Sequence, residues 1–195
     1  MIYSTQELYL RYKDYKTPHV KIQTEVRNGR LFPVVKGLYE DDRNTEGYLL
    51  TSYIRPGAYL SFEYVLSFYG LIPEKVFSYT AATVGRAHSS SMATSFGVFN
   101  FQDVSMAVYR FGVRGVEERG YGFLMASPEK ALCDLLSKKV PVGSMKEFES
   151  LLFDDLRIDE SGLFALKKED ILFLCPLYRK KNLRFLKRYM EASNG

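Results

Sequence analysis

The first forty residues are punctuated tightly enough to restrict the folds open to this chain. Ser4 and Glu7 stand at capping-box spacing ahead of LYLRYKDY, which predicts a short helix over about Thr5–Tyr12. Thr17 as N-cap, Pro18 at the first helical position and Gly29 as the stop define a second helix. Two short β-favouring runs follow in RLFPVVKGLYE, with a turn at Lys36-Gly37, and read as a hairpin. Helix, turn, helix, hairpin is the element order of a winged helix-turn-helix. A full module has another helix before the pair, and only Met1 to Ser4 precede the first helix here, so the expectation is either a trimmed module or one whose DNA binding is weakened or lost.

The polar run EDDRNTEG then marks a boundary near Asp42, so that residues 1–41 form the winged module and residues 42–195 a larger domain. Pro56-Gly57 is a turn, and Ser61 can cap a helix from Phe62 to Tyr69 that Gly70 ends, with Val65, Leu66 and Tyr69 as its buried face. KVFSYTAATV, SFGVFNFQDV, SMAVYRFGVRGV and YGFLMAS read as strands of a mixed or mostly antiparallel sheet. Ser127 and Pro128 start a helix over SPEKALCDLLSKK, and further helices are expected at SMKEFESLLFDDL, KKEDILFLC and YRKKNLRFLKRYMEA. The fold class is α+β: a trimmed winged helix-turn-helix, then a mixed α/β domain ending in a helical segment.

Several function classes are disfavoured. A spanning helix needs roughly 18 consecutive apolar residues, whereas the most apolar stretch, YLSFEYVLSFYGLIPE, places ten uncharged residues between Glu63 and Glu74. The opening MIYSTQELYLRYKDYK has no apolar signal region, and Cys133 and Cys175, each among apolar neighbours, read as buried free thiols, so a cytoplasmic protein is expected. His19 falls on the inward face of the second helix with Ile22 and Val26, and His88 has no acid near it in sequence, which leaves no metal site. HSSSMATS after Arg86 lacks the glycine spacing and lysine of a phosphate loop and reads as a flexible polar loop. No catalytic motif stands out, and no cofactor is expected.

Charge is uneven. Residues 1–39 carry seven Lys or Arg against three Asp or Glu, and Pro176–Tyr189 carries six against none. At about 100° per residue, Val20, Lys21, Thr24, Arg27 and Asn28 look outward from the second helix. Arg27 suits guanine, Asn28 adenine and Lys21 phosphate, while Arg30 and Lys36 extend the basic surface along the hairpin. Lys21, Thr24, Arg27, Asn28, Arg30 and Lys36 are therefore the candidate DNA-binding residues. Winged modules also serve protein contacts, and a basic terminal helix is often only a solvated face. Lys130 and Asp134 have the spacing of an ordinary intrahelical pair, worth about 0.2–0.5 kcal/mol.

Three segments in fixed order, GRLFPVVKGLYE, YLSFEYVLSFYGLIPE and SPEKALCDLL, resemble the AbiEi family of antitoxins and transcriptional regulators. The resemblance implies an N-terminal module that binds operator DNA of its own operon. It also implies a C-terminal domain that counteracts a co-encoded nucleotidyltransferase toxin of the AbiEii type without a stable complex, as a type IV antitoxin. Glu129, Lys130 and Asp134 stand on the helix carrying the third motif. With Arg179, Lys180, Arg184 and Arg188 of the basic tail they are the candidate antitoxin surface. The alternatives are an enzyme-like domain that modifies the toxin or reverses its product, and a protein-interaction module with a vestigial winged segment.

Overall fold

In the computed structural model, which describes residues 1–85 and 89–192, the capping box at the N-terminus closes as its spacing predicts. Ser4 Oγ accepts the Glu7 amide at 3.2 Å and the Glu7 carboxylate accepts the Ser4 amide at 2.6 Å, starting α1 (Thr5–Arg11). α2 (Pro18–Arg27) begins on Pro18, with no capping hydrogen bond from the Thr17 side chain. Gly29, at φ 68°, turns the chain out of the helix through the left-handed region that glycine enters freely. β2 (Phe32–Val35) and β3 (Leu38–Glu40) form the expected hairpin. A strand that composition does not suggest, β1 (Ile2–Ser4), pairs with the other edge of β3, giving a three-stranded antiparallel sheet in the order β1-β3-β2.

Leu8, Ile22 and Leu31 make a small core between the two helices and this sheet. The hairpin also faces the rest of the molecule, where Val34 enters the main core and Phe32, Val35 and Leu38 pack on it. In the run expected to separate two domains, Glu40, Thr45 and Gly47 are buried, and Asp41, Asp42, Arg43, Asn44 and Glu46 are exposed. The Glu40 carboxylate accepts a hydrogen bond from Tyr121 Oη at 2.8 Å and from the amides of Asp41 and Asp42. Ser95 Oγ donates to the Pro33 carbonyl at 3.0 Å.

A 3-10 turn (Gly47–Leu50) and α3 (Thr51–Ile54) lead into the larger sheet. Its strands are β4 (Tyr59–Leu60), β5 (Ser78–Val84), β6 (Ser90–Thr94), β7 (Gly97–Val104), β8 (Val113–Glu118) and β9 (Tyr121–Ala126), in the spatial order β6-β7-β5-β4-β9-β8. The sheet is mixed: β5 and β7 run parallel, as do β4 and β9, and the other neighbours are antiparallel. Two readings of this region need correction. The hydroxyl-rich stretch is not a polar loop, for Ser90–Thr94 pairs along β7; Arg86 and His88 lie outside the described residues. The start of SMAVYRF is not a strand, because Ser105 Oγ accepts the Ala107 amide and caps a helical turn, α5 (Met106–Tyr109).

Helices cover the sheet. α4 (Phe62–Phe68) buries Phe62, Val65 and Leu66, whereas Tyr69, expected inside, is the C-cap and is 37% exposed. α6 (Pro128–Lys138) is capped by Ser127 Oγ, which accepts the Lys130 amide, and is buried along most of its length. α7 (Met145–Ser150) runs into a π-helical stretch at Leu151–Asp155, followed by α8 (Glu160–Ala165), α9 (Lys168–Tyr178) and α10 (Lys181–Ala192). The protein is α+β, and among the described residues no helix is long and apolar enough to cross a membrane.

Gly47, on the segment between the two sheets, packs against the larger one. Its amide donates to Tyr79 Oη at 3.2 Å, and a Cβ at this position would overlap the Tyr79 ring and the Phe96 carbonyl. Gly47→Ala should lower stability by about 1–3 kcal/mol, the cost of overpacking a filled site, as read from urea unfolding. An unchanged midpoint would contradict the packing described.

Candidate nucleic-acid interface

α2 presents an asymmetric face. Ile22 and Glu25 are buried and Val26 is half-buried, while His19, Val20, Gln23, Arg27 and Asn28 are exposed. His19 therefore does not join Ile22 and Val26 on the inside. The buried arc is centred nearer Ile22 and Glu25, and His19, in the first turn, projects past the edge of the small core. Thr24 is half-buried and its hydroxyl donates to the Val20 carbonyl at 2.9 Å.

The buried acid on this helix reorganises the cations around it. Glu25 is 5% exposed, and its carboxylate meets Lys21 Nζ at 2.7 Å and Arg30 Nη2 at 2.9 Å, with Arg30 Nε on its other oxygen. The Glu25 main-chain carbonyl also accepts the amides of Arg30 and Leu31. Lys21 is thus tied down along α2, and Arg30 holds the end of α2 to the start of the hairpin. Among the described residues Arg27 and Lys36 make no ion pair, and both are exposed. Beside Arg27 lies an apolar groove of about 380 Å3 between helix and hairpin, lined by Ile22, Val26, Pro33 and Tyr39.

Hydrogen bonds from Arg30, then from Lys21, hold the Glu25 carboxyl at about 2, down from 4.5. A carboxyl whose folded value is depressed contributes stability that is fully present above its unfolded value and lost as pH falls through the folded one. The pair-dependent part of stability should therefore be intact above about pH 4.5 and vanish toward pH 2. Glu25→Gln should flatten that part of the acid limb in thermal melts between those pH values; an unchanged acid limb would contradict it.

The cluster on α6 is an interior one. Glu129, Lys130 and Asp134, expected on a surface, are 4%, 0% and 0% exposed. Asp134 accepts four hydrogen bonds: Lys130 Nζ at 2.8 Å and Tyr178 Oη at 2.7 Å on Oδ1, Tyr59 Oη at 2.9 Å and Ser61 Oγ at 2.8 Å on Oδ2. Lys130 Nζ also donates to Tyr178 Oη at 2.6 Å. Burial pushes the Lys130 ammonium down, with Asp134 opposing that shift, and pushes the Tyr59 and Tyr178 phenols well up. Glu129 accepts the Lys167 amide at 3.0 Å. Cys133 and Cys175 are free thiols side by side, and a hydrogen bond between them, then burial, raises Cys133. These groups have no face toward solvent, so they cannot present an antitoxin surface; Ser61, whose side chain makes no capping bond, serves the cluster instead.

Arg179, Lys180, Arg184 and Arg188 are exposed, as a surface role requires. Arg179, Arg184 and Arg188 join Lys187 around one cleft between α9 and α10. Sequence reasoning missed Gln23 and Glu25 on α2, although their helical phase and the Lys21-to-Glu25 spacing were signals for both. It also missed Tyr59, Ser61 and Tyr178, which no local pattern connects to Asp134.

No family model matches the chain, and no curated protein does. Among solved structures, the crystal structure of the RV2827C protein from Mycobacterium tuberculosis is similar, with a TM-score of 0.49 and 13% identity, over 96% of this chain and 76% of that one. A likeness of that degree bears on neither function nor site.

Breaking a buried ion pair from one side leaves a charge without its partner, at a cost of about 3–5 kcal/mol. Lys130→Met should lose about that much, and Lys130→Met with Asp134→Asn should cost clearly less than the two single changes added together. Additive losses in denaturant unfolding would show that the pair is not coupled.

Proposed function

We propose that this chain is a DNA-binding regulator that represses its own operon and, as the resemblance to AbiEi proteins implies, acts as a type IV antitoxin against a co-encoded nucleotidyltransferase toxin. The reading is carried by one observation: a helix, α2, is fixed between α1 and a hairpin and offers Gln23, Arg27 and Asn28 outward, with Lys36 at the hairpin turn. In a winged helix-turn-helix this helix enters the major groove. Arg27 would donate to guanine O6 and N7, Gln23 or Asn28 would pair with adenine, and Lys36 would meet phosphate from the wing. Lys21 and Arg30, bound to Glu25, position α2 in this reading, and Thr24 stands at the edge of the contact face. The role belongs to the cytoplasm.

The protein-interaction reading draws on a specific observation too. The apolar groove beside Arg27 and the withdrawal of Lys21 and Arg30 into ion pairs suit a partner with an apolar anchor. The two readings part on salt, because phosphate neutralisation makes DNA affinity fall steeply as salt rises.

The test is binding of the purified chain to its own upstream duplex at two salt concentrations, with a scrambled duplex as control. Specific, salt-weakened binding is expected, and Arg27→Ala should cost about 1–3 kcal/mol of discrimination while leaving the fold intact. Equal weak binding to both duplexes would retire the repressor role. Rescue of toxin-arrested growth by Arg27→Ala would then separate antitoxin action from DNA binding.

A further inference from the structure

α10 is charged against its own dipole. The chain enters it through Arg179, Lys180 and Lys181, its first turn has no acid, and Arg184 follows one turn on, whereas Glu191 stands near its negative end. A solvated helix selected for stability places these charges the other way. The corner is nonetheless held firmly. Asn182, 2% exposed, donates to the carbonyls of Leu136 and Val140 and accepts the Val142 amide at 3.0 Å, pinning the start of α10 to the end of α6. Arg179 sits at φ 52° between α9 and α10, a left-handed conformation unusual for a residue with a side chain.

This corner opens a cleft of about 410 Å3 with Arg179, Arg184, Lys187 and Arg188 around it and Pro176 and Leu183 as apolar lining. One acid touches it, Glu191, 3.8 Å from Lys187. Among the described residues Arg179, Lys180, Arg184 and Arg188 make no ion pair, in contrast to Lys21 and Arg30 on the N-terminal module. The most concentrated uncompensated positive charge is therefore on α10, not on α2.

From Lys180, which precedes α10, to Arg188 the chain rises about 12 Å, so its cations lie along a short stretch of strand. Guanidinium groups match phosphate in two-point geometry. The cations sit on one corner and one side of a single helix, a footprint for one phosphate backbone. We propose that the α9–α10 cleft is a second, separate nucleic-acid site, which grips a single strand through its phosphates. With no aromatic ring among the cleft residues to stack on bases, it holds the strand without regard to sequence.

The test is fluorescence anisotropy of the full chain with labelled single-stranded RNA and DNA of one mixed sequence, from about 50 to 200 mM salt. The log–log salt slope should be close to −3, about −0.7 for each of four neutralised phosphates. Arg184→Ala with Arg188→Ala should reduce the slope by about 1.4 and affinity by on the order of tenfold, whereas Lys75→Ala, at an exposed cation outside both sites, should change neither. Arg184→Lys with Arg188→Lys should keep the slope. Arg188→Glu alone is the second variant should the double alanine change fail to fold. The RNA and DNA arms decide which strand is preferred, and binding in either supports the site. Salt-independent binding, binding unchanged in the alanine and glutamate variants, or tighter binding of poly-glutamate than of either strand would overturn it.

Discussion

Asp134 is the point on which the larger domain turns. A carboxylate without solvent would cost several kcal/mol if left alone, and here four donors from four elements close around it. Lys130 comes from one turn back on α6, Tyr178 from the end of α9, Tyr59 from β4 and Ser61 from the start of α4. The packing of α6 on the sheet and of α4 and α9 on α6, made by their shared apolar core, has also to satisfy that one group. Positive and negative charge balance inside the cluster, so the interior tolerates ions without a route to water. The cluster specifies an arrangement, and its chemistry is spent on structure.

The N-terminal module depends on the same domain through the hairpin. β2 and β3 give one face to the small core around Leu8, Ile22 and Leu31 and lend Val34 to the main core. Glu40, buried and bonded to Tyr121, ties the last residue of β3 to the large sheet. The helix proposed for recognition is thus mounted on a fixed support. The ion pairs of Glu25 set its pose at the cost of two cations that an isolated reading of the sequence would assign to DNA.

What the sequence discloses follows how local the determining interaction is. Ser4 with Glu7, Pro18, Gly29 and Ser127 act within a few residues, and the elements they punctuate are found where they predict. β1 is only three residues long and β6 is short and mostly polar, and they become strands only through β3 and β7, whose pairing no local pattern encodes. Lys130 and Asp134 were legible as a pair, but their burial was not, because Tyr59, Ser61 and Tyr178 lie 75, 73 and 44 residues from Asp134. The exposure of Arg27 could be read from helical phase alone, whereas the capture of Arg30 by Glu25 required the turn at Gly29. Charge counting found the basic tail; only the αL corner at Arg179 turned it into a cleft.

The central functional claim is that α2 and the hairpin beside it are the surface that meets duplex DNA. Hydrogen–deuterium exchange of the full chain, with and without its own upstream duplex, addresses that claim most directly. Protection at Val20–Asn28 and around Lys36, with the α6 interior unchanged, is the predicted result. Protection confined to α10, or no protection at α2 under conditions where the duplex is bound, would contradict it.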